Sequence, residues 1–116
     1  ATRGEVLTVG IAPTDRPREK GTVVIDEQWR IVAFDEKAEH PRSNLANAGI
    51  YVASHALLGE LPALAPPGAF DFGFHVLPRL VPRLAAYPIT EFMMDIGTPE
   101  AYARAQERWP GLPESL

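Results

Sequence analysis

Residues 30–52 constrain the chain more than any other stretch. Arg-Ile-Val-Ala-Phe-Asp-Glu-Lys-Ala-Glu-His-Pro-Arg-Ser-Asn-Leu-Ala-Asn-Ala-Gly-Ile-Tyr-Val holds two apolar, β-favouring runs separated by a polar loop. In the first run Ile31, Ala33 and Asp35 alternate against Val32, Phe34 and Glu36, and the run ends in the opposite charges of Glu36-Lys37. The second begins at Asn47 and continues Ala48-Gly49-Ile50-Tyr51-Val52. Two strands therefore deliver Glu36, Lys37 and Asn47 to one place. A lysine beside a carboxylate at a strand end can read a phosphate and a hydroxyl. By residue type alone the commoner reading is a solvated charge pair, which contributes little.

With 116 residues the chain fits one domain with one core, since about two thirds of the unfolded surface is buried at this size. Apolar residues at 46% and charged residues at 22% argue against general disorder. No apolar run approaches the roughly 20 residues that cross a bilayer, and the opening Ala-Thr-Arg-Gly-Glu-Val-Leu has no charged head before a long apolar segment. No membrane partner and a cytoplasmic location are expected. Cysteine is absent and the three histidines, His40, His55 and His75, lack the close spacing of a zinc site, so any metal must be held by oxygen. A net charge of −4 without a basic run gives no electrostatic footprint for nucleic acid.

In chain order, residues 5–12 read as a mostly buried strand, and 22–26 with 30–34 as a hairpin. Ser54 is placed to cap a helix carrying Leu57, Leu58 and Leu61 on one side until Pro62 stops it. Residues 65–68 read as a loop, and Asp71 as the cap of a helix with Phe74, Leu77, Val81 and Leu84 at helical spacing, short or kinked because of Pro78 and Pro82. His75 beside that stripe reads as structural or surface. A strand over 89–94 should feed a helix with Thr98 as N-cap, Pro99 first, Glu100 in the first turn, and Tyr102, Ala105 and Trp109 as its buried stripe. Asp95 then lies at a strand end beside a glycine turn, the edge where ligands collect in open α/β sheets. Its carboxylate could hold Mg²⁺ against phosphates, or serve only as a turn residue.

Phe34-Asp35-Glu36-Lys37, Asn47-Ala48-Gly49-Ile50-Tyr51-Val52 and Asp95-Ile96-Gly97-Thr98-Pro99-Glu100-Ala101-Tyr102, in this order, resemble the second half of a sugar-phosphate nucleotidyltransferase. The resemblance is nearest to mannose-1-phosphate and heptose-phosphate guanylyltransferases. Gly21-Thr22-Val23-Val24-Ile25-Asp26 extends it to about residues 5–109. It implies an α/β chain with part of a Rossmann-like three-layer α/β/α fold, residues 1–116 forming the C-terminal, sugar-phosphate-binding half of a domain whose N-terminal nucleotide-binding half is absent. It further implies that Glu36 reads sugar hydroxyls, that Lys37 holds the sugar phosphate as the catalytic cation, that Asn47 and Gly49 line the sugar pocket, and that Asp95 binds Mg²⁺.

Two departures from the family pattern stand out. Ala38 follows Glu36-Lys37 where the family has proline, which is delayed here to Pro41. No glycine-rich triphosphate loop is present, and neither is the central aspartate that would complete the metal site. The chain is therefore expected to bind a sugar 1-phosphate, to meet a nucleoside triphosphate only with an N-terminal partner, and to be inactive alone. The alternative is a non-catalytic sugar-phosphate-binding or assembly module. A homo-oligomer, or pairing with an N-terminal fragment, is expected through the edges of strands at 6–12 and 89–94.

Overall fold

The computed structural model describes residues 5–64, 67–68 and 71–112. Leu7, Val9 and Ile11 are almost completely buried, and the strand that carries them, β1 (Leu7–Pro13), is paired on both sides. One neighbour is the antiparallel β4 (Leu45–Ala53); the other is the parallel β5 (Leu84–Pro88). The hairpin β2 (Gly21–Ile25) and β3 (Arg30–Glu36) is present as expected, with Val23 opposite Phe34. Its turn is held by Asp26, whose Oδ1 accepts from the amides of Gln28 and Arg30, both at 2.9 Å.

The hydrogen-bonded order β1-β4-β2-β3-β5 returns to β1 and closes a ring. Two links are short: β2 meets β4 only at Thr22↔Ala46, and β3 meets β5 at Arg30↔Ala85 and Ile31↔Leu84. The ring is thus a three-stranded sheet, β4-β1-β5, with a hairpin folded against one end. Helix α1 (His55–Leu64) follows β4, a π-helical turn (Phe72–Val76) runs into the short α2 (Leu77–Leu80), and α3 (Pro99–Arg108) ends the described chain. This mixed sheet with helices is the partial α/β fold expected. The core gathers Leu7, Val9 and Ile11 with Ile31, Leu57 and Leu77. Arg83 locks the start of β5 to α1 by a two-pronged contact with Glu60 at 2.9 and 3.0 Å. Among the described residues no helix is long and apolar enough to cross a membrane.

Several expectations are corrected. Residues 89–94 form no strand; the strand is β5, and Leu84, read as helical, begins it. The ladder stops at Pro88, which lacks an N–H, with one further bond from Ile89 N to Ile11 O. The helix expected from Phe74 to Leu84 is the π-helical turn plus α2, with Pro78 in its first turn, and Phe74 is exposed. Pro62 lies inside α1 and does not stop it, the helix running on to Leu64; Leu58, the residue whose carbonyl loses its intrahelical donor, is exposed. Leu57 is buried but Leu58 is not. The hydroxyl of Ser54 caps nothing and is buried without a partner; its carbonyl accepts from Leu57 N at 3.1 Å.

On α3 the buried residue is Ala101, while Tyr102 and Trp109 face outward. Because β1 has neighbours on both sides, the ground for edge-to-edge pairing through residues 6–12 is gone. Residues 65 and 66 of the expected loop lie outside the described residues.

The contrast on α1 is measurable. Leu57→Ala should cost about 2–5 kcal/mol through a core cavity, and Leu58→Ala under about 0.5 kcal/mol, read as urea midpoints at constant slope.

Candidate functional site

The site begins with an irregularity in β4. From Leu7↔Ala53 to Val9↔Tyr51 the register with β1 is regular, and then Ile11 pairs with Asn47, so two steps along β1 match four along β4. At about 3.3 Å per residue, four extended residues would separate Asn47 and Tyr51 by roughly 13 Å. The bulge instead brings their side chains into contact, Asn47 Nδ2 donating to Tyr51 Oη at 2.7 Å. At its apex Gly49 has φ +78°, and its amide donates to Asn47 Oδ1 at 2.9 Å. Both ends of the Asn47 amide are therefore committed, and the positive φ explains the glycine.

Glu36 closes β3 opposite Gly21. Its carboxylate shares a small space with Asp71 and Asn47 above the α-carbon of buried Gly73. A methyl group placed there would lie 3.0 Å from Glu36 Oε2, 3.4 Å from Asp71 Oδ1 and 3.7 Å from Asn47 Nδ2. Asp71 is held as the N-cap expected of it, its Oδ1 accepting from Phe74 N at 2.9 Å, while its own amide donates to His75 Nδ1 at 2.8 Å. His75 thus has the structural role anticipated. The Phe72 ring packs on Tyr51 with centroids 4.9 Å apart. Glu36, Asn47, Tyr51 and Asp71 form a polar cluster backed by an aromatic pair, a suitable lining for a molecule rich in hydroxyls.

Partial burial, with the neighbouring Asp71 carboxylate adding to it and Lys37 opposing, raises the Glu36 carboxyl above the ordinary carboxylate range. Burial also raises the Tyr51 hydroxyl; the bond from Asn47 opposes this and the carboxylates of Asp71 and Glu36 reinforce it.

Lys37 adopts φ +48°, a left-handed conformation uncommon outside glycine, and its amide donates to Lys20 O at 3.0 Å. This turn ends β3 and leaves the lysine exposed beside Glu36. The loop that follows lacks the stiffening proline at position 38. Arg42 supplies a substitute: its Nε and Nη2 grip Asp35 Oδ2 and Oδ1 at 3.0 and 2.7 Å, and its amide adds a third bond at 3.2 Å. The guanidinium holds the Asp35 carboxyl below its ordinary range.

Asp95 lies on the irregular segment after β5, not at a strand end, and its Oδ1 accepts from Gly97 N at 3.1 Å. Helix α3 starts directly afterwards, with Thr98 Oγ1 accepting from Ala101 N at 3.1 Å as expected of the cap. Asp95 shares with Asn47 and Gly49 an open cleft of about 1030 Å³, whose walls also carry Lys20, Arg104 and Arg108. Glu36 and Lys37 are not among its walls, although the Lys37 amide donates to the carbonyl of Lys20, which is one of them. Among the described residues no three of His, Cys, Asp and Glu gather as a metal site. Asp95 offers one carboxylate, a single ligand and not by itself a site for Mg²⁺.

Sequence reasoning missed Tyr51 and Asp71 as members of the cluster. Tyr51 was signalled by its shared strand parity with Asn47, whereas nothing in the sequence places Asp71 beside Glu36.

The architecture is a mixed α/β sheet whose bulged strand presents polar side chains beside an open cleft carrying Lys20, Arg104 and Arg108. The chain belongs to the nucleotidyl transferase family: the family model described as "Nucleotidyl transferase" matches residues 1–110. Glucose-1-phosphate adenylyltransferases of Bacillus thuringiensis (strain Al Hakam) and Bacillus anthracis are each 40% identical over 98 residues, covering 79% of this chain and 26% of the relative. The chain thus spans about a quarter of the length of these curated relatives. A crystal structure described as a glucose-1-phosphate thymidylyltransferase from Bacillus anthracis, in complex with sucrose, superposes with a TM-score of 0.70 at 21% identity. It covers 97% of this chain and 47% of that one, and so carries the fold.

Two substitutions probe this geometry. Gly49→Ala meets no atom within 4 Å, so its expected cost of about 1–2 kcal/mol is that of the left-handed backbone alone; calorimetric unfolding measures it. For Glu36 the folded chain holds the carboxyl proton more tightly than the unfolded chain does. Stability from this group is therefore full below the ordinary carboxylate range and is lost as pH rises through the elevated value. Glu36→Gln should be more stable than the parent at pH 7 and equal to it at acid pH, and a parent that is the more stable at pH 7 would refute the burial argument.

Proposed function

We propose that the chain forms the sugar 1-phosphate-binding half of a nucleotidyltransferase that joins a nucleoside triphosphate to a sugar 1-phosphate and releases pyrophosphate. The convergence of Glu36, Asn47 and Asp71 on Gly73, with Tyr51 hydrogen-bonded to Asn47 and Lys37 next in sequence to Glu36, carries this reading. The carboxylates and the Tyr51–Asn47 pair would take sugar hydroxyls, and Gly49 would leave the backbone open at the rim. Lys37 would neutralise the phosphate. In the reaction a phosphate oxygen of the sugar attacks the α-phosphorus, one P–O bond forms, and the bond to the β-phosphate bridging oxygen breaks. Catalysis of this kind is alignment plus charge neutralisation, with no covalent nucleophile. Asp95 would offer one carboxylate toward a Mg²⁺ ion, and such an ion, when bound, would supply charge neutralisation at the phosphates.

The relatives at 40% identity carry the name glucose-1-phosphate adenylyltransferase, which favours glucose 1-phosphate and an adenine nucleotide over the mannose and guanine expected from sequence. Titration calorimetry of the chain with glucose 1-phosphate and with mannose 1-phosphate decides between them. Lys37→Met should weaken binding of the preferred sugar phosphate about tenfold to a hundredfold, the worth of a hydrogen bond to a charged group. No pyrophosphate should be released from ATP or GTP by the chain alone. Binding of neither sugar phosphate would support the alternative of an assembly module.

A further inference from the structure

Asp71 owes its place in the polar cluster to a clasp made by the turn that follows it. Its own backbone is extended, with φ −104° and ψ 125°, and three hydrogen bonds fix where it points. Oδ1 accepts from Phe74 N at 2.9 Å, the Asp71 carbonyl accepts from His75 N at 2.8 Å, and the Asp71 amide donates to His75 Nδ1 at 2.8 Å. Two of the three therefore come from His75.

The bond to the ring sets a chemical condition. A backbone amide only donates, so Nδ1 must carry no proton, which selects the tautomer protonated on Nε2. The Phe74 ring meets the imidazole edge to face, with centroids 4.9 Å apart and planes at 81°, and limits its rotation. The carboxylate so held lies 3.4 Å from a methyl group placed on Gly73, with Glu36 Oε2 at 3.0 Å and Asn47 Nδ2 at 3.7 Å from the same point. Among the described residues no ion pair holds Asp71 there, and the neighbouring Glu36 carboxylate repels it. Keeping two like charges together works against the fold, so a clasp that does so serves a ligand.

We propose that His75 is a positioning residue for sugar recognition: by accepting from the Asp71 amide, its Nδ1 aims the Asp71 carboxylate at a sugar hydroxyl. The inference rests on the sugar 1-phosphate reading of the site and deepens it. His75 touches no substrate, and hydroxyl recognition depends on it while phosphate recognition at Lys37 does not.

Titration calorimetry of the full chain with glucose 1-phosphate and with mannose 1-phosphate tests this on two variants. His75→Asn puts an amide oxygen in the place of Nδ1 and can still accept, whereas His75→Leu cannot. The Leu variant should bind the preferred sugar phosphate about threefold to tenfold more weakly, the worth of one neutral hydrogen bond, and the Asn variant should stay within about twofold of the parent. Inorganic phosphate, which has no sugar ring, should bind all three chains alike, read from NMR shifts at Lys37. Should His75→Leu fail to fold, the parent still decides: with sugar phosphate bound, a long-range proton–nitrogen spectrum should show Nε2 protonated and Nδ1 bare. A proton on Nδ1 would overturn the inference. So would unchanged affinity in the Leu variant, an equal loss in both variants, or a parallel loss of inorganic phosphate binding, which would mark general damage. Failure of the parent to bind either sugar phosphate would overturn the reading of the site and this inference with it, whereas the preceding outcomes overturn the inference alone.

Discussion

The pairing of β4 with β1 governs the site more than any single charge. A strand pressed against a buried neighbour has its parity set by the core, because Val9 and Ile11 point inward and their partners Tyr51 and Asn47 must lie on the same face. Two extra residues in β4 preserve that parity and remove length, so two side chains four residues apart become neighbours. The hydrogen bond between them, the glycine at the apex and the wall of the cleft all follow from this insertion. A bulge of this kind is an instrument for aiming side chains.

The second support is electrostatic and local. Lys37 needs a turn with positive φ directly after a strand, and such a turn is held only if the chain beyond it is anchored. Asp35 and Arg42 provide that anchor across the loop, in a fork geometry that fixes orientation as well as distance. The Ser43 hydroxyl adds a bond to the carbonyl of Val23, tying the return of the loop to the hairpin. A loop without a proline after its lysine is thus stiffened from its far end.

Much of this was legible in the sequence, and the failures have physical causes. The hairpin, β1, β4 and the caps by Asp71 and Thr98 follow from period-two alternation and from side chains that satisfy orphan amides, both local signals. β5 was hidden because Leu84 continues the spacing of Leu77 and Val81, and only the demand of β1 for a parallel neighbour makes it a strand. The stripe of Tyr102 and Trp109 identifies a helix face that needs cover; it does not say that the cover lies in the same stretch of chain. Tyr51 and Asp71 escaped notice as site residues because a bulge and a π-helical turn change distances that a regular element would fix.

Gly73 separates two properties that mutations usually change together. A methyl group there would press first on Glu36 Oε2, the far end of a flexible side chain that can swing away, and only loosely on Asp71 and Asn47. The fold would absorb the change while the carboxylate lost its bearing. Were Glu36 to take sugar hydroxyls as proposed, a population of such chains would carry the substitution with unaltered yield and solubility, so that abundance would conceal the change and only a binding measurement would expose it.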